Sequence, residues 1–180
     1  MEIHPFGFYK TDESDKLIIG SFPCFNGKDY GDWFYSGSGR NNFWKLLSEV
    51  YSMPFESLEQ KEEICKQQKI AITDIAYKIE RIKGNCRDSN LRILEYNRAN
   101  IDNCLSNNIK HIYFTSKFVE IHFKTIYPEN KISTSILLSP SPSSSLYIAG
   151  LPQYKEMKEK GLVNSTYDFR LIKYRELLAI

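Results

Sequence analysis

Two stretches of this chain combine residues in ways that ordinary connecting loops do not. The first is Gly20-Ser-Phe-Pro-Cys-Phe25, followed closely by Phe34-Tyr-Ser-Gly-Ser-Gly-Arg-Asn-Asn-Phe-Trp44. The second is Ser139-Pro-Ser-Pro142, which opens the serine- and proline-biased run Ser139–Ser145. The first offers aromatic faces for stacking and amide side chains able to orient a water. The second offers stiff backbone and small hydroxyls, suited to gripping phosphates. Gly37-Ser-Gly39 lacks the G-x-S-x-G spacing of a nucleophile elbow, which argues against serine hydrolase chemistry. His4, His111 and His122 form no ligand set, and His111 and His122 read as structural. There is no P-loop and no Rossmann fingerprint.

Each residue also has a plainer reading. Asn41 sits just before an apolar helical stripe, where asparagine is a favoured N-cap. Phe43 and Trp44, at helical spacing, suit a core, as does Phe25. Arg40 could hold a phosphate or pair with an acid, Asp74 could cap a turn, and Ser139–Ser145 could be a simple loop.

Short β-like runs alternate with helical ones along the chain, which predicts parallel strands joined by helical crossovers. The strand candidates are Leu17–Ser21, Ile70–Asp74, His111–Thr115 and Ser133–Leu138. Each is nearly continuous in apolar or β-branched residues, as strands covered on both faces should be. One helix follows Asn41 or Asn42, with Phe43, Leu47 and Val50 on a stripe. The next opens with the capping box Ser57-x-x-Gln60. A third is expected from near Asp88, carrying Leu91, Leu94, Ile101 and Leu105. A fourth, capped by Ser116 and burying Phe118 and Ile121, must stop before Pro128. Pro152 and Gly161 bracket a short helix, and Ser165-x-x-Asp168 opens the last. No linker or internal repeat interrupts this order, so a single domain over 1–180 is expected. In open parallel sheets ligands bind beyond the carboxyl ends of the strands. That leaves Phe22–Phe25, Asp74–Tyr77, Ser116–Lys117 and Ser139–Leu146 as competing sites.

The composition, 42% hydrophobic with 9 Gly and 7 Pro, is that of an ordered chain. No apolar run approaches a membrane span, and the first residues lack signal-peptide character, so a cytoplasmic address is expected. Cysteines at 24, 65, 86 and 104 form no C-x-x-C pair. They read as buried thiols in a reducing compartment, with neither zinc nor an iron–sulfur cluster implied. Net charge is +2, which permits nucleic acid without demanding it. Lys78–Arg98 holds six basic and three acidic residues; it could touch phosphates or be a solvated helix face.

Taken in order and at their separation, the Gly20-Ser-Phe-Pro turn, the Tyr35 loop with Arg40-Asn-Asn-Phe-Trp44, and Ser139-Pro-Ser-Pro142 resemble the uracil-DNA glycosylase superfamily. The likeness is greatest to its hypoxanthine-DNA glycosylase-like branch, where a G-S/T-F/M-P turn precedes a tyrosine-containing loop and an R-N-x-F-W run. It spans Ile18 to about Leu146. The resemblance implies an α/β domain of three layers, with a four-stranded parallel sheet in the order 2-1-3-4 and helices on both faces. It implies a monofunctional DNA glycosylase of base excision repair that hydrolyses the N-glycosidic bond of a uracil- or hypoxanthine-type base. No cofactor is called for. The implied partner is damaged DNA with the target base flipped, met by a monomer that holds no metal and engages no membrane.

Roles carry over residue by residue. Where the superfamily's first motif places an acidic or amide residue, this chain has Phe22, which cannot activate water. The branch shares that loss, and its catalytic amide corresponds to Asn41. The last motif, H-P-S-P, is Ser139-Pro-Ser-Pro142 here, so Ser139 replaces the histidine. The resemblance thus implies a catalytic set of Asn41, Ser139 and Ser141, and a base pocket of Phe22, Pro23, Phe25, Tyr35 and Asp74. Contacts to the DNA backbone are implied for Gly20, Arg40, Ser116, Lys117, Pro140, Pro142, Ser143 and Ser144, with Leu146 as strand wedge. Lys78, Lys83 and Arg87 are further phosphate candidates. Two other readings stay open: a protein on this fold that binds a modified or unpaired base without cutting it, and a hydrolase of free nucleosides or nucleotides.

Overall fold

A computed structural model describes residues 1–105 and 108–178. In chain order its strands are β1 (Glu2–Ile3), β2 (Lys16–Gly20), β3 (Ile70–Asp74), β4 (Ala76–Arg81), β5 (Leu91–Tyr96), β6 (His111–Phe114) and β7 (Ser133–Ile136). Its helices are α1 (Phe43–Tyr51), α2 (Leu58–Gln67), α3 (Arg98–Cys104), α4 (Lys117–Ile126), α5 (Ser145–Gly150), α6 (Pro152–Glu159) and α7 (Thr166–Leu178).

The four apolar runs form one sheet in the order β3-β2-β6-β7, every pair parallel. This is the order expected for the four candidate strands. Successive residues of a strand point to opposite faces, and here both faces are covered. Leu17, Ile19, Ala71, Ile112 and Phe114 pack with Ile101 and Cys104 of α3 and Val119, Phe123 and Ile126 of α4. Ile18, Ile70, Ile72 and Tyr113 pack with Phe43, Leu46 and Leu47 of α1, Ile64 and Cys65 of α2, and Tyr174 and Leu178 of α7. Double burial explains why β2, β3 and β6 read as unbroken apolar runs, while β7 at the sheet edge is only partly covered.

The helix ends follow local chemistry. Ser57 and Gln60 complete their reciprocal capping box on α2, and Ser165 and Asp168 do the same at the start of α7. Ser116 caps α4 by accepting from the Val119 amide. The buried stripe of α4 is Val119, Phe123 and Ile126; Phe118 is only half-buried and Ile121 is exposed, so the expected face is rotated by one residue. Gly161, at φ +69°, closes α6 in the left-handed conformation that favours glycine.

The larger difference lies between β3 and α3. A helix from Asp88 through Leu105 does not form. Instead β4 and β5 make an antiparallel hairpin, and β1 adds to it as a third strand. Leu91 is buried and Ile93 half-buried on one face, while Leu94 is exposed, so the apolar spacing that suggested a helix was carried by a residue facing solvent. Of the expected helix only the part around Ile101 forms, as α3, with a single 3-10 turn at Asp88–Asn90 ahead of β5. Bidentate pairing of Arg81 with Glu2 (2.8 and 2.9 Å) ties β1 to β4, and Arg81 also donates to the Pro23 carbonyl at 3.2 Å.

The cysteines correct the expectation as well. Cys24 and Cys86 are joined in a disulfide with their Cα atoms 5.3 Å apart, fastening the hairpin tip to the loop after β2. Only Cys65 and Cys104 are buried free thiols, and burial pushes both up, Cys104 to about 12. Among the described residues no helix is long and apolar enough to cross a membrane.

Thiol titration of the unreduced protein in denaturant should therefore find two reactive groups per chain, and four after reduction. Reduction should lower folding stability by about 2–4 kcal/mol. Four thiols before reduction would contradict the bridge.

Candidate active site

A cleft of about 670 Å³ opens where β2, β3, β6 and β7 end. It gathers segments from across the sequence: Ser21–Asn26, Tyr35, Arg40, Asn41, Asp74, Thr115 and Ser139–Ser143 all line it. The parallel pairing brings them together, because parallel strands release their carboxyl ends at one edge. Gly20 pairs with Asp74 across β2 and β3, so the loop after β2 leaves beside that carboxylate.

The floor of the cleft is polar and buried. Asp74 is 2% exposed; its Oδ2 bonds His4 Nε2 at 2.9 Å, while its Oδ1 has no partner. The Tyr35 hydroxyl is likewise buried and unpartnered. Burial, and next the charge of Asp74, hold the Tyr35 phenol well above its ordinary range, so it stays a neutral donor. Its ring stacks on Phe43 at 4.0 Å and 26°, and its backbone adopts φ 60° to reach that position. Both unpaired oxygens crowd over Gly20: a Cβ built there would stand 2.1 Å from Asp74 Oδ1 and from the Tyr35 hydroxyl.

On the walls, Phe22 is buried and set edge-on to His4, with ring centroids 5.5 Å apart, and Arg81 lies over its face. Phe25 remains largely exposed. Asn41 accepts the Phe43 amide on Oδ1 at 2.9 Å, a local bond of the capping type; the residue at the N-cap position itself, Asn42, makes no side-chain cap bond. The Asn42 amide donates to the Pro140 carbonyl at 3.1 Å and so joins the loop before α1 to the Ser-Pro loop.

The Ser-Pro loop is held from beneath by Arg170 of α7, which is 1% exposed. Its guanidinium donates to the carbonyls of Ser139 (2.9 Å) and Ser141 (3.1 Å) and to the hydroxyls of Ser144 (2.9 Å) and Ser145 (3.2 Å). No carboxylate is among these partners, so a buried positive charge lies directly under the loop.

With this geometry in place, the comparisons with known proteins become informative. The chain is 27% identical over 132 residues to a hypoxanthine DNA glycosylase of Methanosarcina barkeri, covering 72% of this chain and 80% of that one. A solution NMR structure from Methanosarcina acetivorans, provisionally described as a uracil DNA glycosylase, matches with a TM-score of 0.63 at 19% identity, over 88% of this chain and 96% of that one. The chain resembles the uracil-DNA glycosylase superfamily, on its hypoxanthine-DNA glycosylase side. No family model matches it.

Of the residues that the resemblance singles out, Asn41, Ser139, Ser141, Phe22, Pro23, Phe25, Tyr35, Asp74, Arg40, Pro140, Pro142 and Ser143 share the cleft. Five do not line it. Gly20 is buried beneath Tyr35 and Asp74, so it cannot meet a phosphate. The Ser116 hydroxyl is committed to capping α4 and to Asp88 Oδ2 at 2.6 Å. Lys117 pairs with Glu120 on α4. The Ser144 hydroxyl bonds the carbonyls of Ser139 and Ser141, bracing the loop from within. Leu146 is 88% exposed in the first turn of α5, next to the exposed Tyr147.

Several contributors were not read from the sequence. His4 and Arg170 lie far from every motif and take their roles only through folding. The hairpin tip Gly84–Asp88 also lines the cleft. It brings in Arg87, one of the phosphate candidates, and its Gly84-Asn85 pair, a turn dipeptide, was the signal for the turn itself.

Gly20→Ala tests the floor. The added methyl should force Tyr35 or Asp74 aside and cost about 1–3 kcal/mol in denaturant unfolding. A variant as stable as the parent would show that the two oxygens do not crowd this strand end.

Proposed function

We propose that the chain is a DNA N-glycosylase that draws a damaged or deaminated base out of the duplex into this cleft and hydrolyses its N-glycosidic bond, in base excision repair. The observation that carries the reading is the convergence of the unpaired Asp74–Tyr35 floor, Asn41 and the Ser-Pro loop on one cleft at the strand ends. The name of the sequence relative, hypoxanthine DNA glycosylase, points the same way, and the solved structure shares the fold.

Such a reaction breaks the bond from C1′ to the base nitrogen, adds water at C1′, and lets the base depart as an anion that then takes a proton. The sugar becomes cation-like on the way. The catalyst must place a water, supply donors to the departing base and hold it in register. An asparagine amide is no general base, but a carbonyl oxygen has two lone pairs. One at Asn41 receives the Phe43 amide, and the other is available to orient a water. Ser139 stands in place of an imidazole, so donation to the leaving base falls to other groups. The neutral Tyr35 hydroxyl on the cleft floor is the donor assigned to it in this reading. No lysine is among the lining residues, which suits attack by water over attack by an amine. The Ser-Pro loop, with the Arg170 charge behind it, suits a phosphate next to the extruded nucleotide.

The bond from the Phe43 amide to Asn41 favours a second reading, in which Asn41 only shapes the start of α1 and the protein binds an unpaired base without cutting it. The two differ in outcome. Against a panel of duplexes carrying uracil, hypoxanthine, xanthine or an alkylated base, the glycosylase reading expects release of free base from at least one. On that substrate Asn41→Ala should slow release roughly a hundredfold or more, with DNA affinity nearly unchanged. Asn41→Asp, which preserves capping, should also change turnover clearly. Parental turnover in both variants would remove Asn41 from the chemistry, and release from no duplex would favour the binding protein.

A further inference from the structure

His4 belongs to no motif, yet its ring is fully buried directly behind the Asp74 carboxylate. The residue enters through the short β1 pairing and its amide bonds the Tyr77 carbonyl at 2.8 Å. Its ring packs against Phe6, Phe22 and Phe34, with centroids 6.0, 5.5 and 5.8 Å away. The Phe6 amide donates to Nδ1 at 3.2 Å, so that nitrogen is an acceptor. The ring proton therefore sits on Nε2, which donates to Asp74 Oδ2 at 2.9 Å. Which nitrogen carries the proton is set by the bond the other one makes.

The consequence falls on Asp74. A buried carboxylate with a purely structural role would have both oxygens satisfied, because an unpaired buried acceptor is costly. Here one oxygen is fixed by His4 and the other is buried and unpaired in the floor of the cleft that Asp74 and Tyr35 line, as is the Tyr35 hydroxyl. Gly20 gives both the room to stand there. An acceptor and a donor set side by side match a nucleobase edge that presents a donor next to an acceptor.

We propose that His4 is a positioning residue for base recognition, holding the Asp74 carboxylate by Oδ2 so that Oδ1 faces the cleft and accepts an N–H of the extruded base. This rests on the reading of the cleft as a base pocket, but not on whether the base is then cut. It separates base recognition through His4 and Asp74 from the placing of water at Asn41, with Tyr35 serving both the bound and the departing base.

The test compares equilibrium binding to a duplex carrying each base of the panel with binding to the same duplex carrying an abasic analogue at that position. The ratio isolates what the base itself contributes. His4→Phe keeps an aromatic ring among Phe6, Phe22 and Phe34 but has no donor for Asp74. It should lower the ratio for the preferred base about tenfold or more, the scale of one lost or misdirected buried hydrogen bond. His4→Gln, which retains a donor, should recover part of the ratio. In an Asp74→Asn background His4→Phe should change it little further, whereas a merely structural role would lower the stability of both backgrounds alike and leave the ratio alone. An NMR measurement on the parent protein covers a His4→Phe variant that fails to fold. The His4 ring should carry its proton on Nε2, and that resonance should shift when the preferred duplex binds. A proton on Nδ1, or a His4→Phe variant with the parent's ratio, would overturn the proposal while leaving the glycosylase reading intact. Base preference in binding without base release would sink the glycosylase reading and leave His4 in place. A parent protein that prefers no base over the abasic analogue would refute both.

Discussion

Gly20 pairs with Asp74 at the end of β2 and β3, and at that point the sheet leaves a gap the size of one methyl group, into which the Asp74 Oδ1 and the Tyr35 hydroxyl both lean. The rest of the cleft is arranged around this gap. Tyr35 reaches it from a left-handed backbone, with its ring stacked on Phe43, and this ties the loop before α1 to the core beneath it. Asp74 can keep one bare oxygen there only because His4 fixes the other. Two unpaired buried polar atoms are a standing cost to the folded protein. A ligand that satisfies them recovers that cost on binding.

The loops that complete the cleft are each tethered by a bond from a distant element. The Asn42 amide links the loop before α1 to Pro140. Arg170 braces Ser139, Ser141 and Ser144 from α7. Arg81 holds the Pro23 carbonyl, and the Cys24–Cys86 disulfide holds the same loop from the hairpin tip. Polar groups fixed in advance at the positions a reaction needs act without reorganising during it. In this chain that fixing comes both from a bond between two motifs, Asn42 to Pro140, and from scaffold residues such as Arg81 and Arg170.

How much of this was legible from the residues depended on whether the signal was local. The doubly buried strands announced themselves as apolar runs, and the capping pairs at Ser57, Ser116 and Ser165 marked helix starts correctly. The hairpin did not, because its signals conflict. Leu91 and Leu94 stand three apart, as on a helix, while the register of β4 shifts at Lys78 and breaks the alternation that would have marked a strand. The motif residues converge as the resemblance implied, but Gly20 and Ser116 turned out to serve the scaffold. His4 and Arg170 were illegible for a different reason. A lone histidine near the start of the chain and a lone arginine in a late helix carry no pattern, and their partners at Asp74 and the Ser-Pro loop lie 70 and about 30 positions away.

The central claim is that an extruded base enters the cleft above Asp74 and Tyr35. It is tested most directly by titrating isotope-labelled protein with a short duplex whose hypoxanthine nucleotide has a 2′-fluorinated sugar that resists cleavage, and following the backbone amides by NMR. The account predicts saturable shifts at Ser21, Phe22, Cys24, Phe25, Asn41, Asp74, Ser139, Ser141 and Ser143, absent with an undamaged duplex, and none at the separate hollow lined by Phe123, Tyr127 and Ile132. Shifts gathered at that hollow, or the same shifts with undamaged DNA, would contradict it.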